Sequence, residues 1–482
     1  MNKPLSIYPK RIFDWEAQNA FATFSGDLNP MHMDAVAARR TQAGQPVVHG
    51  MHALLWALDT LAQQQVLLHP PAQIKVRLQK LIYVGDELAL EIMRRDDAAI
   101  AIQLSVQGTV VITITISFGE IKAAAAPIKP CEAIPSPFWP KQPLELSLEQ
   151  MHSMHGCLSF AQSPDTAASL FPSAVTVIGA HRVAGIACLS RLVGMVCPGL
   201  HSIYTGLTLQ SVEPHTEQDF ICYQVTNAYE LFRKVRQTVE GAGWIGVVES
   251  FARIPPVSQL TVQEVTHYVL PDEFKQTSAL IIGGSRGLGE LTAKLIAAGG
   301  GTVAITYAVG RTEALQIQEQ ILQSGGRCEI LQYDATKPAA EQLDNLSITP
   351  SSLYYFATNP IFLRKTSLYA PLVFEKFYRI YVDAFFEACM TIKSASNTAL
   401  SAFYPSSVAV QDRPSDMTEY AMAKSAGEVL CADMARFLKD FRVVVERLPR
   451  MLTDQTTSLV PIETVAPVDV MLPIVRRMES RS

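Results

Sequence analysis

Asp27 and His32 stand five positions apart in the run Phe24-Ser-Gly-Asp-Leu-Asn-Pro-Met-His-Met-Asp34. Gly26, Asn29 and Pro30 beside them favour a turn or a short irregular segment. A carboxylate and an imidazole on one rigid turn can hold a water, the carboxylate accepting its proton and the imidazole orienting it. That is general acid/base chemistry. A second constellation lies near the other end of the chain. Tyr420 and Lys424 form Tyr-x-x-x-Lys and share one helix face, with Ser407 thirteen positions before the tyrosine. There the lysine would lower the phenol's pKa, the phenol would give a proton to a carbonyl oxygen, and the serine hydroxyl would order it. A third signal is Ala279-Leu-Ile-Ile-Gly-Gly-Ser-Arg-Gly-Leu-Gly-Glu290, a strand, a glycine-rich turn and a helix start. Gly283, Ser285, Arg286, Gly287, Leu288 and Gly289 would let the backbone approach a pyrophosphate at the helix N-terminus.

The first pattern, Ser-Gly-Asp-x-Asn-Pro-x-His-x-Asp, is followed by His49-Gly50-Met51, an apolar helix from Ala53 to Ala62, and Tyr83-Val-Gly-Asp86. It resembles the MaoC-like, (R)-specific enoyl-thioester hydratases of the hot-dog fold. The resemblance implies that Asp27 and His32 activate water for addition across a double bond, or run the reverse dehydration. It also implies that the backbone N–H of Gly50 stabilises an enolate oxygen.

The glycine loop with Ser407, Tyr420 and Lys424 resembles the short-chain dehydrogenase/reductase family from Thr277 to the C-terminus. Tyr333-Asp334 stands where that family has its adenine-contacting Asp. Ala335, Ala357 and Asn359 are expected to line the same cofactor, together with Tyr420 and Lys424. The strand Val303 to Tyr307 ends Thr306-Tyr307-Ala308 without the acid that NAD-selective relatives place on the ribose hydroxyls. Arg311 and Arg286 would instead pair with a 2′-phosphate, so NADPH is the expected cofactor.

Three departures stand against full transfer. Tyr381 occupies the place of the family's Asn, Ala357-Thr358-Asn359-Pro360 replaces Asn-Asn-Ala-Gly, and Pro449-Arg450 replaces Pro-Gly. An altered proton route, a slow reductase and a vestigial one all remain open.

The elements that must position these groups need several cores, because 482 residues are too many for one. A hydrophobic content of 48% with 18% charged residues excludes a disordered chain. A net charge of −5 gives no general attraction to nucleic acid or anionic membrane. Lys75, Arg77 and Lys80, or Arg364 and Lys365, read as solvated faces, with docking of an acidic carrier or a coenzyme A phosphate as the alternative.

The eight cysteines have no Cys-x-x-Cys pair and read as buried free thiols in a reducing cytosol. No metal site, signal peptide or membrane insertion is expected, and a cytoplasmic location follows. The apolar run Val175 to Leu200, broken by His181, Arg182 and Arg191, reads as a core helix.

The expected fold is α+β, a double hot-dog, followed by an α/β Rossmann-type doubly wound parallel sheet. Residues 1–122 form the first hot-dog domain, with strands at Gln73–Leu81, Glu87–Met93, Ile100–Gln107 and Val110–Phe118. Residues 123–143, dense in Ala and Pro, read as a linker. Residues 144–256 read as a second, catalytically silent hot-dog that helps form the acyl tunnel, with a helix at Val183–Val196 and strands near Ile203–Val212, Phe220–Ala228 and Trp244–Ile254. In it His181 and Arg182 read as a structural pair, with ligand binding as the alternative. Residues 257–276 read as another linker, and 277–482 as the reductase.

Two active sites on one chain suggest consecutive steps on one tethered acyl group. The expectation is a bifunctional ketoreductase and dehydratase acting on acyl-carrier-protein or coenzyme A thioesters, in fatty-acid or polyketide-like biosynthesis, with homodimer formation implied by the reductase resemblance. Two alternatives stand beside it: a catabolic hydratase and NAD-dependent dehydrogenase, and a non-catalytic scaffold that only holds thioester and nucleotide.

Overall fold

The computed structural model describes residues 6–123, 141–213, 217–361, 368–396, 398–456 and 463–480. Cys131, most of the Ala/Pro-rich segment, and Arg364 with Lys365 lie outside the described residues. Two compact units meet at Pro255 and Pro256.

In the first unit helix α1 (Trp15–Ser25) and the short α2 (Pro30–Met33) precede α3 (Gly50–Gln63). Strands β1 (Gln73–Leu78), β2 (Glu87–Arg95), β3 (Ala99–Val106) and β4 (Thr109–Ser117) follow. Along β2 the side chains alternate between buried and outward positions, the period of a sheet with one face on a core. Helix α3 is apolar nearly all round, and Met51, Ala53, Leu54, Leu55, Ala57, Leu58 and Leu61 are fully buried. A helix with that pattern must be enclosed, and each buried leucine contributes about 1.5–3 kcal/mol.

The second half of this unit repeats the plan. Strand β5 (His155–Ser159), helices α4 (Pro172–Ile178) and α5 (Ala180–Arg191), and a π-type turn (Leu192–Val196) lead to four more strands. These are β6 (Ser202–Glu213), β7 (Phe220–Tyr229), β8 (Lys234–Gly241) and β9 (Trp244–Ala252). The order β2-β3-β4-β1-β6-β9-β8-β7-β5 runs through one sheet of twelve described strands, the rest being two-residue strands at Ser6–Ile7, Arg11–Ile12 and Lys122–Ala123. Counted from its own central helix, each half pairs its first strand with its fourth, fourth with third and third with second. The halves join where β1 and β6 pair antiparallel, Ile74 opposite Leu209 and Val76 opposite Leu207.

Several expectations change here. The single helix expected across the apolar run is two helices bent by 115°, hinged at Gly179, whose φ of 89° suits glycine. No single helix among the described residues is long and apolar enough to cross a membrane. Strand β8 was not anticipated, because its buried positions include Gln237, whose side-chain amide donates to the Cys197 carbonyl at 2.6 Å. Cys157 and Cys222 face each other across β5 and β7 and form a disulfide, which corrects the expectation of free thiols throughout. The inference of a reducing compartment loses that part of its support. Arg182 donates to the Val212 carbonyl at 3.0 Å and His181 pairs with Asp219 at 3.0 Å, the structural role.

The second unit is a parallel sheet of six strands: β10 (Ser278–Ile282), β11 (Thr302–Tyr307), β12 (Arg327–Gln332), β13 (Ser352–Tyr355), β14 (Leu400–Ser407) and β15 (Phe441–Leu448). Their order is β12-β11-β10-β13-β14-β15, so the winding reverses between β10 and β13. Separate apolar cores cover the two faces. A crevice outside the carboxyl ends of β10 and β13 is where such a sheet binds ligands.

The segment 257–276 is not a linker. Thr261 and Glu264 cap the short helix α6 (Val262–Val265) in a capping box, and Val262, Val265, Val269 and Phe274 are buried in the core under α7 (Gly287–Ala298). The unit therefore begins near Pro256 and not at Thr277.

Candidate active sites

Helix α1 ends at Gly26, whose φ of 77° turns the chain sharply and sends Asp27 inward. Asn29 then caps α2 through Met31 N–H at 3.0 Å, while its amide donates to the carbonyls of Gly194 at 2.7 Å and Gly199 at 3.2 Å. The expected irregular turn is thus a left-handed glycine and a one-turn helix. His32 sits on that turn with Nδ1 2.7 Å from the Val47 carbonyl. This contact assigns the proton to Nδ1 and leaves Nε2 as the acceptor.

Asp27 is 1% exposed. Ser190, from α5, donates to its Oδ2 at 2.7 Å, and the Asn29 N–H donates to Oδ1 at 3.2 Å. Burial pushes the Asp27 carboxyl upward, against the opposing pull of His32, Ser190, Asn29 and Arg191. His49, the N-cap of α3, lies 3.0 Å by Nε2 from the Asp27 carbonyl and stacks on His32 at 4.0 Å. Burial and the neighbouring His32 hold it neutral. Ligand atoms of Asp27, His32 and His49 lie within 4.8 Å of one another. With one His49 nitrogen occupied by a backbone carbonyl, the group reads as a site for an oriented water.

Gly50 opens α3, so its N–H is among those a helix leaves without an intrahelical partner. A side chain there would collide with Leu78. Asp86 accepts from the Tyr83 N–H at 2.8 Å and closes the turn into β2.

Sequence reasoning left His49, Asn29, Ser190 and Gly194 without roles. His49 stood in the quoted run, next to Gly50. Ser190 had no local signal: it comes from the second half, and its hydroxyl donates to the Asp27 carboxylate.

In the second unit the glycine loop joins β10 to α7. Gly283 and Gly287 have φ of 81° and 58°, and a side chain at Gly289 would strike the Gly283 carbonyl. The N–H of Gly283 donates to Thr306 Oγ1 at 3.0 Å, and that of Gly284 to the Thr306 carbonyl at 3.1 Å. A glycine-rich turn at the N-terminus of a twelve-residue helix fits a pyrophosphate. Ser285 lies buried on this turn, and Leu288 is in the first turn of α7.

Arg311 opens α8 (Arg311–Gln323) and is exposed, beyond the buried Tyr307 that ends β11. Arg286 lies 3.7 Å from Asp454, an acid that competes for the expected phosphate contact. Asp334 follows β12 beside the buried Ala335 and accepts from Thr336 Oγ1 at 2.7 Å. Burial raises the Asp334 carboxyl, but its Thr336 and Lys337 partners outweigh that and hold it low. Ala357 and Asn359 follow β13, and the Asn359 amide donates to the Lys376 carbonyl at 3.0 Å.

Ser407 ends β14, and Tyr420 and Lys424 share one face of the long helix Thr418–Phe437. Burial pushes the Tyr420 phenol up, with its Ser407 hydrogen bond pulling the other way. Lys424 lies one turn further along that helix. Its ammonium donates to the Pro405 carbonyl at 2.6 Å and sits 3.8 Å over the Tyr381 ring, against 5.9 Å from the Tyr420 ring. Tyr381 and Thr358, two of the departures, touch each other through hydroxyls 2.5 Å apart.

Burial pushes Lys424 down to about 7 from its usual 10.5. Between those values the unfolded chain binds a proton that the folded chain does not, so this group makes stability rise with pH. Lys424→Met is therefore expected to raise the unfolding temperature most at or below neutrality, with the gain shrinking toward about pH 10. Thermal unfolding of both proteins across that range checks it, and a gain independent of pH would refute it.

Residues 3–115 match the family described as "MaoC like domain". A curated relative, "Uncharacterized oxidoreductase YgfF" of Escherichia coli (strain K12), is 45% identical over 56 residues, 12% of this chain and 23% of that protein. The match thus spans about a quarter of that relative's length. Among solved structures, a short chain dehydrogenase from Burkholderia cenocepacia J2315 in complex with NADP is 24% identical, covering 38% of this chain and 78% of that one, with a TM-score of 0.36. A dehydrogenase/reductase from Sinorhizobium meliloti 1021 is 20% identical, covering 44% and 90%, with a TM-score of 0.37. The chain carries a MaoC-like domain at its N-terminus. After it comes a unit with a doubly wound parallel sheet, the glycine loop and the Ser, Tyr and Lys set whose resemblance to short-chain dehydrogenases/reductases is noted above.

Proposed function

We propose that the chain is a bifunctional enzyme that reduces a 3-ketoacyl thioester with NADPH and dehydrates the resulting 3-hydroxyacyl thioester to a trans-2-enoyl thioester. The carrier is an acyl carrier protein or coenzyme A, and the setting is biosynthetic. The first unit is a double hot-dog, a reading supported by the repeated strand order of its halves. The observation that carries the proposal is the convergence of the buried Asp27 and His49 and the half-buried His32 on one point.

In the first site the water's oxygen joins C3 during hydration while Asp27 accepts its proton, and a proton is then returned from Asp27 to C2 as the enolate collapses; dehydration is the reverse. His32 orients the water through Nε2, and the Gly50 N–H faces the thioester oxygen as negative charge develops. In the second site the nicotinamide, when bound, supplies hydride. Tyr420 gives its phenol proton to the carbonyl oxygen and Ser407 orders that oxygen. Lys424, close to neutrality, adds a positive charge that depends on pH.

The missing acid at Tyr307-Ala308 supports NADPH and the reductive direction over NAD-dependent oxidation. With Arg286 facing Asp454, Arg311 is the cation left for the 2′-phosphate. Arg311→Glu is expected to raise the KM for NADPH roughly tenfold and leave that for NADH nearly unchanged. Equal effects on both cofactors would count against this contact.

The test of the whole reading is a panel of 3-ketoacyl and enoyl thioesters on both carriers, followed by NADPH and enoyl absorbance. Binding of NADPH with turnover of neither substrate would instead favour a scaffold.

A further inference from the structure

We propose that Ser190 is a positioning residue for Asp27, and that Gly194 is glycine to leave room for the carboxylate Ser190 holds. The inference rests on the hydratase reading of Asp27 and extends it to the half of the unit that lacks the motif. Ser190 lies 163 positions from Asp27, yet its hydroxyl donates to Oδ2 at 2.7 Å, and both residues are buried. A side chain at Gly194 would collide with both carboxylate oxygens. Asn29 ties the same segment down by donating to the Gly194 and Gly199 carbonyls.

One oxygen of Asp27 is thus fixed by the second half and the other by the Asn29 N–H, which sets the carboxylate plane relative to His32. The charged and titratable groups around it are His32 on α2, His49 at the start of α3, and Arg191 beside Ser190 on α5. Arg191 is anchored by donating to the Ser159 carbonyl at 2.9 Å. Without the Ser190 hydroxyl, a buried carboxylate loses a charge-assisted hydrogen bond and holds its proton more tightly.

Two readouts on the full-length protein test this. The first is the pH profile of crotonyl-coenzyme A hydration by Ser190→Ala, Ser190→Thr and Gly194→Ala. In Ser190→Ala the acid limb moves up by about one pH unit and kcat falls about tenfold on that side, with KM steady. Ser190→Thr keeps the hydroxyl and restores the limb. Gly194→Ala lowers kcat with Ser190 intact, and NADPH oxidation is unaffected in all three. The second readout is the Asp27 carboxyl titration by carbon-13 NMR, assigned with Asp27→Asn, which needs no turnover. If the parent protein hydrates no enoyl thioester, the hydratase reading fails, and the NMR midpoint alone decides the role of Ser190. An unmoved midpoint in Ser190→Ala overturns the proposal.

Discussion

Asp27→Asn is expected to remove hydration and dehydration of acyl thioesters by a factor of about 10² to 10⁴, the range a positioned acid or base contributes. NADPH oxidation with a 3-ketoacyl thioester should continue at the parental rate. The substitution keeps the side chain's size and leaves an amide oxygen for the Ser190 hydroxyl, so the fold has no reason to fail. What disappears is the carboxylate that takes the water's proton, while His32, its Nδ1 held by the Val47 carbonyl, keeps only its role of orienting the water through Nε2. Measuring both reactions on one preparation separates the outcomes. Loss of both activities together would argue against two independent sites, and retention of hydration would remove Asp27 from the chemistry.

Tyr420→Phe should do the converse, lowering NADPH-dependent reduction by a similar factor of about 10² to 10⁴ with hydration intact. Burial keeps the phenol protonated through neutral pH, the state a proton donor needs, and its Ser407 hydrogen bond limits that upward push. The ring itself is retained, edge-on to Phe377 at 5.7 Å and to Tyr381 at 5.6 Å, so packing survives. A single hydroxyl is lost, costing about 1 kcal/mol of stability. Reduction at the parental rate would mean that another group, with the Tyr381 and Thr358 hydroxyls the nearest candidates, delivers the proton.

The strands β1 to β4 were legible because apolar residues recur along them at a short period, and helix α3 because it is a long apolar run directly after the His49-Gly50-Met51 motif. The glycine loop and the Ser, Tyr and Lys set were legible because their spacing is local. What was missed depended on distance or on an exception to pattern. Gln237 interrupts the apolar alternation of β8, and the four residues of α6 are too few to show a helical period. Cys157 and Cys222 are 65 positions apart and follow no spacing motif. Ser190 reaches Asp27 only through the packing of one half on the other. The lysine of Tyr-x-x-x-Lys was found by spacing, but its surroundings were not: the aromatic ring beneath it and the carbonyl it donates to come from residues remote in the chain.

The antiparallel pairing of β1 with β6 has a consequence for any attempt to isolate the N-terminal catalytic piece. A chain cut after β4 would leave β1 with a free row of backbone donors and acceptors along Gln73 to Arg77, where β6 now lies. Such a bare border is a template for adhesion between copies. The shortest autonomous form of this unit is therefore the whole twelve-stranded body, and trimming it to the matched region yields a sticky fragment rather than a smaller domain.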